Sequence, residues 1–257
     1  MPHKLIVLRH GESQWNRDHK FCGWMDIPLS TKGEQEAAHA GDLLNQFGIK
    51  PDVMYTSLLQ RSIKTGHIIL EKTNRLWVSH HKTWRLNERH YGAFQGHKKN
   101  DMFEKYGKEK FQYYRRDFLA IPPLIENDPS IDERYFRLVE NGGIEPKQIP
   151  RGESLKLVME RMILYVQSRV IGCEMIERKR VVLVVTQGSI VRSLIKYFAN
   201  VSDASISKIN APTGVPLVFE FDDSGALLGD YYYLDKELAK KGMAKVAMEG
   251  HTPKANI

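Results

Sequence analysis

Leu8-Arg9-His10-Gly11-Glu12-Ser13 sets a guanidinium and an imidazole side by side, directly after the apolar run Leu5 to Leu8. Neutral imidazole is a good nucleophile toward phosphorus near pH 7, because an unperturbed pKa of about 6.5 leaves little deprotonation work. Arg9 beside it suits a bidentate grip on phosphoryl oxygens. The same pair also describes a satisfied loop histidine, so its meaning depends on the elements that position it.

Those elements alternate. Short β-branched or aromatic runs at Leu5 to Leu8, Asp52 to Thr56, Leu76 to Val78, Val181 to Val185 and Pro216 to Phe221 read as buried strands. Helical stretches lie between them at Lys32 to Phe47, Leu58 to Lys72, Leu155 to Ile171 and Val191 to Phe198. In the third, Leu155, Val158, Met162, Ile163 and Val166 share one face. This order predicts an α/β fold of three αβα layers, a mainly parallel central sheet with helices on both faces, and ligands bound beyond the carboxyl ends of the strands. Arg9 and His10 would emerge at such an end. The polar, aromatic stretch from about 94 to 150 breaks the rhythm and reads as a loop-rich insertion over the site, or else as a surface excursion packed on the core. The tail from about 236 to 257 reads as a helix with a mobile, frayed end. The whole chain, 1–257, reads as a single domain.

Composition narrows the partners. A formal charge of +7, from 38 Lys and Arg against 31 Asp and Glu, suits nucleic acid, an anionic membrane surface or a small polyanion. Basic residues are scattered, without a long single-sign run, finger spacing or basic arm, which argues against nucleic acid. No apolar run approaches the roughly 20 residues that cross a bilayer, and MPHKLIVLRHGES reaches charge too soon for a signal peptide, so the expectation is a soluble, cytoplasmic protein with no membrane partner. Cys22 and Cys173 lack a metal-ligand spacing and read as reduced thiols. Small phosphorylated metabolites fit the charge.

LRHGES followed by Asn16, then FCGWMDIPLSTKG, YTSLLQRSIKT, WRLNERHYGAFQG, YYRR and APTGVPLVFEF, resembles the cofactor-dependent phosphoglycerate mutases of the histidine phosphatase superfamily, over residues 5 to about 235. RLNERHYG with YYRR separates the mutases from the broader phosphatase branches. The resemblance implies that 2,3-bisphosphoglycerate phosphorylates His10, which passes the group between the 2- and 3-positions of glycerate, with no metal. It implies that Arg9 and Arg61 hold the phosphoryl group, that Asn16 hydrogen-bonds its oxygens, and that Glu88 is the general acid and base. Tyr91, Lys99, Arg115 and Arg116 match positions that bind the substrate carboxylate and distal phosphate; Gly23 would let backbone approach the substrate. Family members are commonly homodimers or homotetramers. Two residues keep bland readings beside these roles: Arg61 as a solvated helix residue, Glu88 as a salt-bridge partner of Arg85 or Arg89.

One stretch departs from the pattern. Where the family has a second histidine in a sequence like AHGNSLR, this chain has Thr186-Gln187-Gly188-Ser189-Ile190-Val191-Arg192, between an intact strand and an intact helix. Gln187 would keep a donor for the phosphoryl oxygens but lose its charge, at a rate penalty on the order of 10² to 10³. Ser189 in place of Asn, and Cys22 where the family usually has Ser or Thr, weaken hydrogen bonding further. Beyond residue 97 the only histidine is His251, in the tail. Two readings follow: a working but slowed phosphoglycerate mutase, and a catalytically impaired paralogue that binds phosphoglycerates or a protein partner. A phosphatase and a basic binding module that inherited the motif are further alternatives.

Overall fold

The computed structural model describes residues 2–249; Met1 and residues 250–257, His251 among them, lie outside the described part. Six strands form one sheet in the order β3-β2-β4-β1-β5-β6: β1 (His3–Arg9), β2 (Val53–Thr56), β3 (Ser79–Lys82), β4 (Val182–Thr186), β5 (Leu217–Phe221) and β6 (Tyr232–Tyr233). The four strands from β3 to β1 are mutually parallel, and β5 runs antiparallel to both its neighbours. The sheet is mainly parallel, as the alternation of strand and helix predicts.

Side-chain alternation along the strands builds two cores, one per face. Leu5 and Val7 of β1 and Val182 and Val184 of β4 face one way, onto α6 (Leu155–Tyr165), its π-helical continuation Val166–Glu177, and α7 (Gly188–Phe198). Ile6, Leu8, Leu183 and Val185 face the other way, onto α2 (Thr31–Gln46) and α3 (Gln60–Lys72). Strands flanked by helices on both faces have no polar side to show, which is why LIVL and VVLVV are continuous apolar runs. From β1 the chain leaves through α2 on one face toward β2; from β4 it leaves through α7 on the opposite face toward β5. The crevice between these diverging exits, at the carboxyl ends of β1 and β4, is where a doubly wound sheet receives its ligand.

Three expectations are corrected. Leu76 and Trp77 are 61% and 72% exposed and precede the third strand, which is Ser79–Lys82. This edge strand carries SHHK, whose paired register to β2 comes from backbone and not from an apolar pattern. The helix begun at Leu155 does not stop at Ile171 but continues in π geometry to Glu177. The insertion is more helical than loop-rich: α4 (Lys99–Arg116), broken at Gly107 where φ is +73°, and α5 (Glu133–Glu140) occupy much of it. Their apolar residues pack locally, Met102 and Phe111 with Phe21 and Phe94, and Tyr135 and Ile144 with Trp24 and Trp84. The four-residue α1 (Gln14–Arg17) follows β1, and α8 (Lys236–Met248) closes the described chain.

Candidate active site

β1 and β4 pair in the register Arg9 to Thr186, so the residues that follow, His10 and Gln187, leave the sheet side by side. His10 is buried, and its Nδ1 lies 2.6 Å from the Gly11 carbonyl oxygen. A carbonyl only accepts, so Nδ1 carries the proton and Nε2 keeps its lone pair. Burial, then the charges of Arg61 and Arg9, hold the His10 pKa well below the usual 6.5. The ring is therefore a neutral nucleophile at pH 7.

Arg61, in the first turn of α3, is 1% exposed, which disposes of the solvated reading. Its Nη1 and Nη2 donate to the carbonyls of Met25 at 2.7 Å and Gly23 at 2.8 Å. Its Nε lies 3.2 Å from His10 Nε2 and donates to Gln187 Oε1 at 2.9 Å. Guanidinium has no acceptor, so the Gln187 oxygen must face Arg61 and the amide nitrogen must point away, to Ser57 and Ser62 at 3.0 and 3.1 Å. The expected donor role of Gln187 toward phosphoryl oxygens is thus corrected: the amide N–H groups are spent on two serines. Gly23 sits at φ +52°, and a Cβ there would overlap the Gln95 side chain; only glycine lets the loop deliver its carbonyl to Arg61.

Glu88 follows the short helical turn Trp84–Leu86 and forms no ion pair with Arg85 or Arg89 among the described residues. Arg89 instead spends its guanidinium on the carbonyls of Glu153, Tyr114, Arg115 and Ala120. Glu88 Oε1 accepts from the Arg89 N–H at 2.8 Å, from the Ser189 N–H at 3.3 Å and from the Ser189 hydroxyl. Ser189 therefore serves the carboxylate, and Oε2 is left for the pocket. The Glu88 carbonyl is clamped from behind by Trp24 Nε1 at 2.7 Å and Arg161 Nη2 at 3.0 Å. Arg161 also binds the carbonyls of Arg85 and Asn87 and pairs with Glu153.

A pocket opens in front of these groups, lined by Arg9, Asn16, Lys20, Cys22, Gly23, Glu88, Tyr91, Lys99, Arg115, Arg116, Gly188, Ser189, Arg192 and Glu249. The insertion is no mere surface excursion, since α4 supplies Lys99, Arg115 and Arg116 to it. Asn16 Oδ1 is held by Ser13, leaving its Nδ2, among the described residues, with the long 3.9 Å contact to the Cys22 sulfur. Burial raises the Tyr91 pKa, so its hydroxyl stays a donor. Burial and neighbouring arginines lower Arg116 to about 9, and burial leads in lowering Arg192 to about 10. Among the described residues, Arg9 Nε, Arg115 Nη1 and Arg192 Nε are buried without a partner. Concentrated charge that costs desolvation and leaves N–H groups unsatisfied is relieved by an anion bearing several oxygens.

Of the residues singled out in the sequence, Arg9, Asn16, Cys22, Gly23, Glu88, Tyr91, Lys99, Arg115, Arg116, Gly188 and Ser189 line this pocket, whereas His10, Arg61 and Gln187 are buried and stand outside its lining. Arg192 and Glu249 were not anticipated. Arg192 stands one turn after Gly188 on a helix whose first turn opens on the pocket, so the spacing of four was a usable signal. Glu249 gave none. At the end of α8, its carboxylate reaches Lys99 Nζ at 2.5 Å and Arg115 Nη2 at 3.4 Å.

Residues 5–142 match the family model of the histidine phosphatase superfamily, branch 1. The chain is 45% identical to phosphoglycerate mutase 1 of Saccharomyces cerevisiae, over 96% of this chain and 98% of that one. It is 42% identical to the 2,3-bisphosphoglycerate-dependent phosphoglycerate mutase of Corynebacterium diphtheriae, with the same coverage. Among solved structures, phosphoglycerate mutase from Bacillus anthracis superposes with a TM-score of 0.65 at 22% identity, covering 98% of this chain and 97% of that one. A mycobacterial glucosyl-3-phosphoglycerate phosphatase superposes at 0.67 with 20% identity, covering 90% and 97%, and these two likenesses establish the fold. A strand-end histidine beside a cationic crevice and 42–45% identity to named mutases over nearly the whole chain lead to one assignment: the chain belongs to the phosphoglycerate mutase family, within branch 1 of the histidine phosphatase superfamily.

Proposed function

We propose that this chain interconverts 3-phosphoglycerate and 2-phosphoglycerate through a phosphohistidine at His10, and that 2,3-bisphosphoglycerate primes it. The observation that carries the reading is the neutral Nε2 lone pair of His10 beside a crevice in which three buried guanidinium N–H groups lack partners among the described residues. A bisphosphorylated carboxylic acid fits that crevice, with Arg9 and Asn16 near the transferring group and Lys99, Arg115, Arg116 and Arg192 around the distal anion. When bound, the primer supplies the phosphoryl group that loads His10.

In the transfer itself, His10 Nε2 forms the bond to phosphorus as the ester P–O bond breaks, and Glu88 gives its proton to the departing substrate oxygen. On return, Glu88 removes a proton from the attacking hydroxyl of the other position and the N–P bond breaks. Arg9 and Arg61 hold charge in place without proton loss, which is most of what phosphoryl transfer asks of a protein. Since Gln187 turns its oxygen and not its N–H groups toward Arg61, the site lacks one donor, and turnover on the order of 10² to 10³ below that of a site with a charged donor is expected. This observation is what favours a slowed enzyme.

A steady-state assay of 3-phosphoglycerate conversion, with and without primer and beside His10→Ala, tests the reading. A rate that needs both primer and His10 supports it; no rate above the His10→Ala background refutes it in favour of a ligand-binding paralogue. We also propose a homodimer or homotetramer, supported by the open edge of β3 with Leu76 and Trp77 exposed beside it.

A further inference from the structure

The polarity of the Gln187 amide is fixed from both ends. Ser62 Oγ donates to the Leu59 carbonyl at 3.1 Å, so its proton is spent. Ser57 Oγ makes a short hydrogen bond to Ser62 Oγ, and with the Ser62 proton engaged elsewhere the Ser57 hydroxyl must be its donor. Both serine oxygens are left able only to accept, and Gln187 Nε2 donates to each. At the other end Arg61 Nε can only donate, and it does so to Gln187 Oε1. All four side chains are buried, and every one of these donors is paired, so the chain of hydrogen bonds runs in one direction and resists reversal.

That direction bears on the nucleophile. Arg61 Nε points between Gln187 Oε1 at 2.9 Å and His10 Nε2 at 3.2 Å. A lone pair engaged by a guanidinium N–H is not free to attack phosphorus. The other Arg61 nitrogens are anchored on Gly23 and Met25, so the guanidinium cannot swing away as a body. The remaining way to free His10 is a better acceptor for the same N–H, and the Gln187 oxygen is that acceptor. Turned around, the amide would set N–H against N–H and return the Arg61 donor to His10.

Taking His10 as the phosphoryl acceptor, we propose that Ser57 and Ser62 are positioning residues for phosphoryl capture: they orient the Gln187 amide so that its oxygen draws the Arg61 Nε–H off the His10 lone pair. The five residues, His10, Ser57, Arg61, Ser62 and Gln187, come from the ends of β1, β2 and β4 and the first turn of α3, so the device belongs to the sheet and not to one loop.

The test uses the full chain and labelled 2,3-bisphosphoglycerate, following adduct formation on His10 by rapid quench at saturating ligand. Ser62→Thr and Ser62→Val add the same bulk and differ in the hydroxyl alone. The expected result is slower capture in Ser62→Val than in Ser62→Thr, by about 10-fold to 10²-fold, with ligand affinity alike in the two. Ser57→Ala, which only removes atoms, provides a second measurement if the larger side chains prevent folding, and it too should capture slowly at unchanged affinity. Equal capture rates for the threonine and valine variants, wild-type rate in Ser57→Ala, or a loss confined to affinity would overturn the inference. A wild-type protein that takes up label no better than His10→Ala would instead bring down the assignment of His10, and the inference with it.

Discussion

At the residue scale, the site is a set of groups whose protonation and polarity are dictated by neighbours. His10 is held neutral by burial and by the charges of Arg61 and Arg9. Its folded-state pKa lies below the unfolded value, so the unfolded chain takes up the proton first and acidification through 6.5 costs stability. The capture step should be insensitive to His10 protonation between pH 8 and the usual 6.5 and should weaken only below it; rapid-quench rates across pH check this, and an acid limb centred at or above 6.5 would contradict the geometry. Gln187→His should raise the mutase rate, by up to about 10²-fold, because a neutral imidazole keeps one nitrogen as acceptor for the Arg61 Nε–H while its other nitrogen brings an N–H donor to the transferring group. If the revertant is no faster, Gln187 is not the limiting defect. Arg9 and His10 were legible in the sequence because they sit in a short motif at the end of β1, and Glu88 because it lies in the motif Arg85-Leu-Asn-Glu-Arg-His-Tyr, after the helical turn Trp84–Leu86. The direction of the Gln187 amide was not, since it is decided by Ser57 and Ser62 more than 120 positions earlier.

At the scale of elements, two contacts hold the walls. Arg161 of α6 gathers the carbonyls of Arg85, Asn87 and Glu88 into one guanidinium while pairing with Glu153. Replacing it by Met takes the counter-charge from the buried Glu153 carboxylate, which keeps the His90 N–H, and a donor from the carbonyls of Arg85, Asn87 and Glu88, and a loss of roughly 3 kcal/mol in chemical denaturation is expected, with kcat falling more than KM rises as Glu88 loses part of its support. The second contact is the carboxylate of Glu249 in the cationic pocket. Burial acts against its charge, yet Lys99, Arg9 and Arg115 hold its pKa at about 2. A depressed carboxylate stabilises its contacts above its unfolded value near 4.5 and loses them as pH falls toward 2, so at neutral pH the tail stays seated. Glu249→Gln should lower KM for phosphoglycerate by a few-fold, on the order of 3 to 10, since one anion no longer competes for Lys99 and Arg115; an unchanged or higher KM in steady-state assays would show that the carboxylate helps substrate bind. Strands flanked by helices announced themselves as apolar runs, whereas β3 and α4 did not: one is a polar edge, the other a helix whose few apolar residues are scattered among charges.

For the molecule as a whole, the formal charge of +7 is partly explained by the pocket, which collects Arg9, Arg115, Arg116, Arg192, Lys20 and Lys99 in one place. No helix among the described residues is long and apolar enough to cross a membrane. If the open β3 edge is an interface between copies, Trp77→Glu should shift sedimentation toward a monomer while leaving the pocket intact; an unchanged sedimentation coefficient would place any interface elsewhere. The sheet order carries one more consequence, for the history of the chain. β1, which precedes the other five strands, finds its partners among the described strands in β4 and β5, more than 170 residues later. A nascent chain that has not yet emerged past Thr186 has no partner for the strand that carries His10. Such long-range closure is slow to nucleate and leaves an apolar strand waiting in the open during synthesis. Labelling of His10 in a stalled or truncated chain would therefore report completion of the sheet itself.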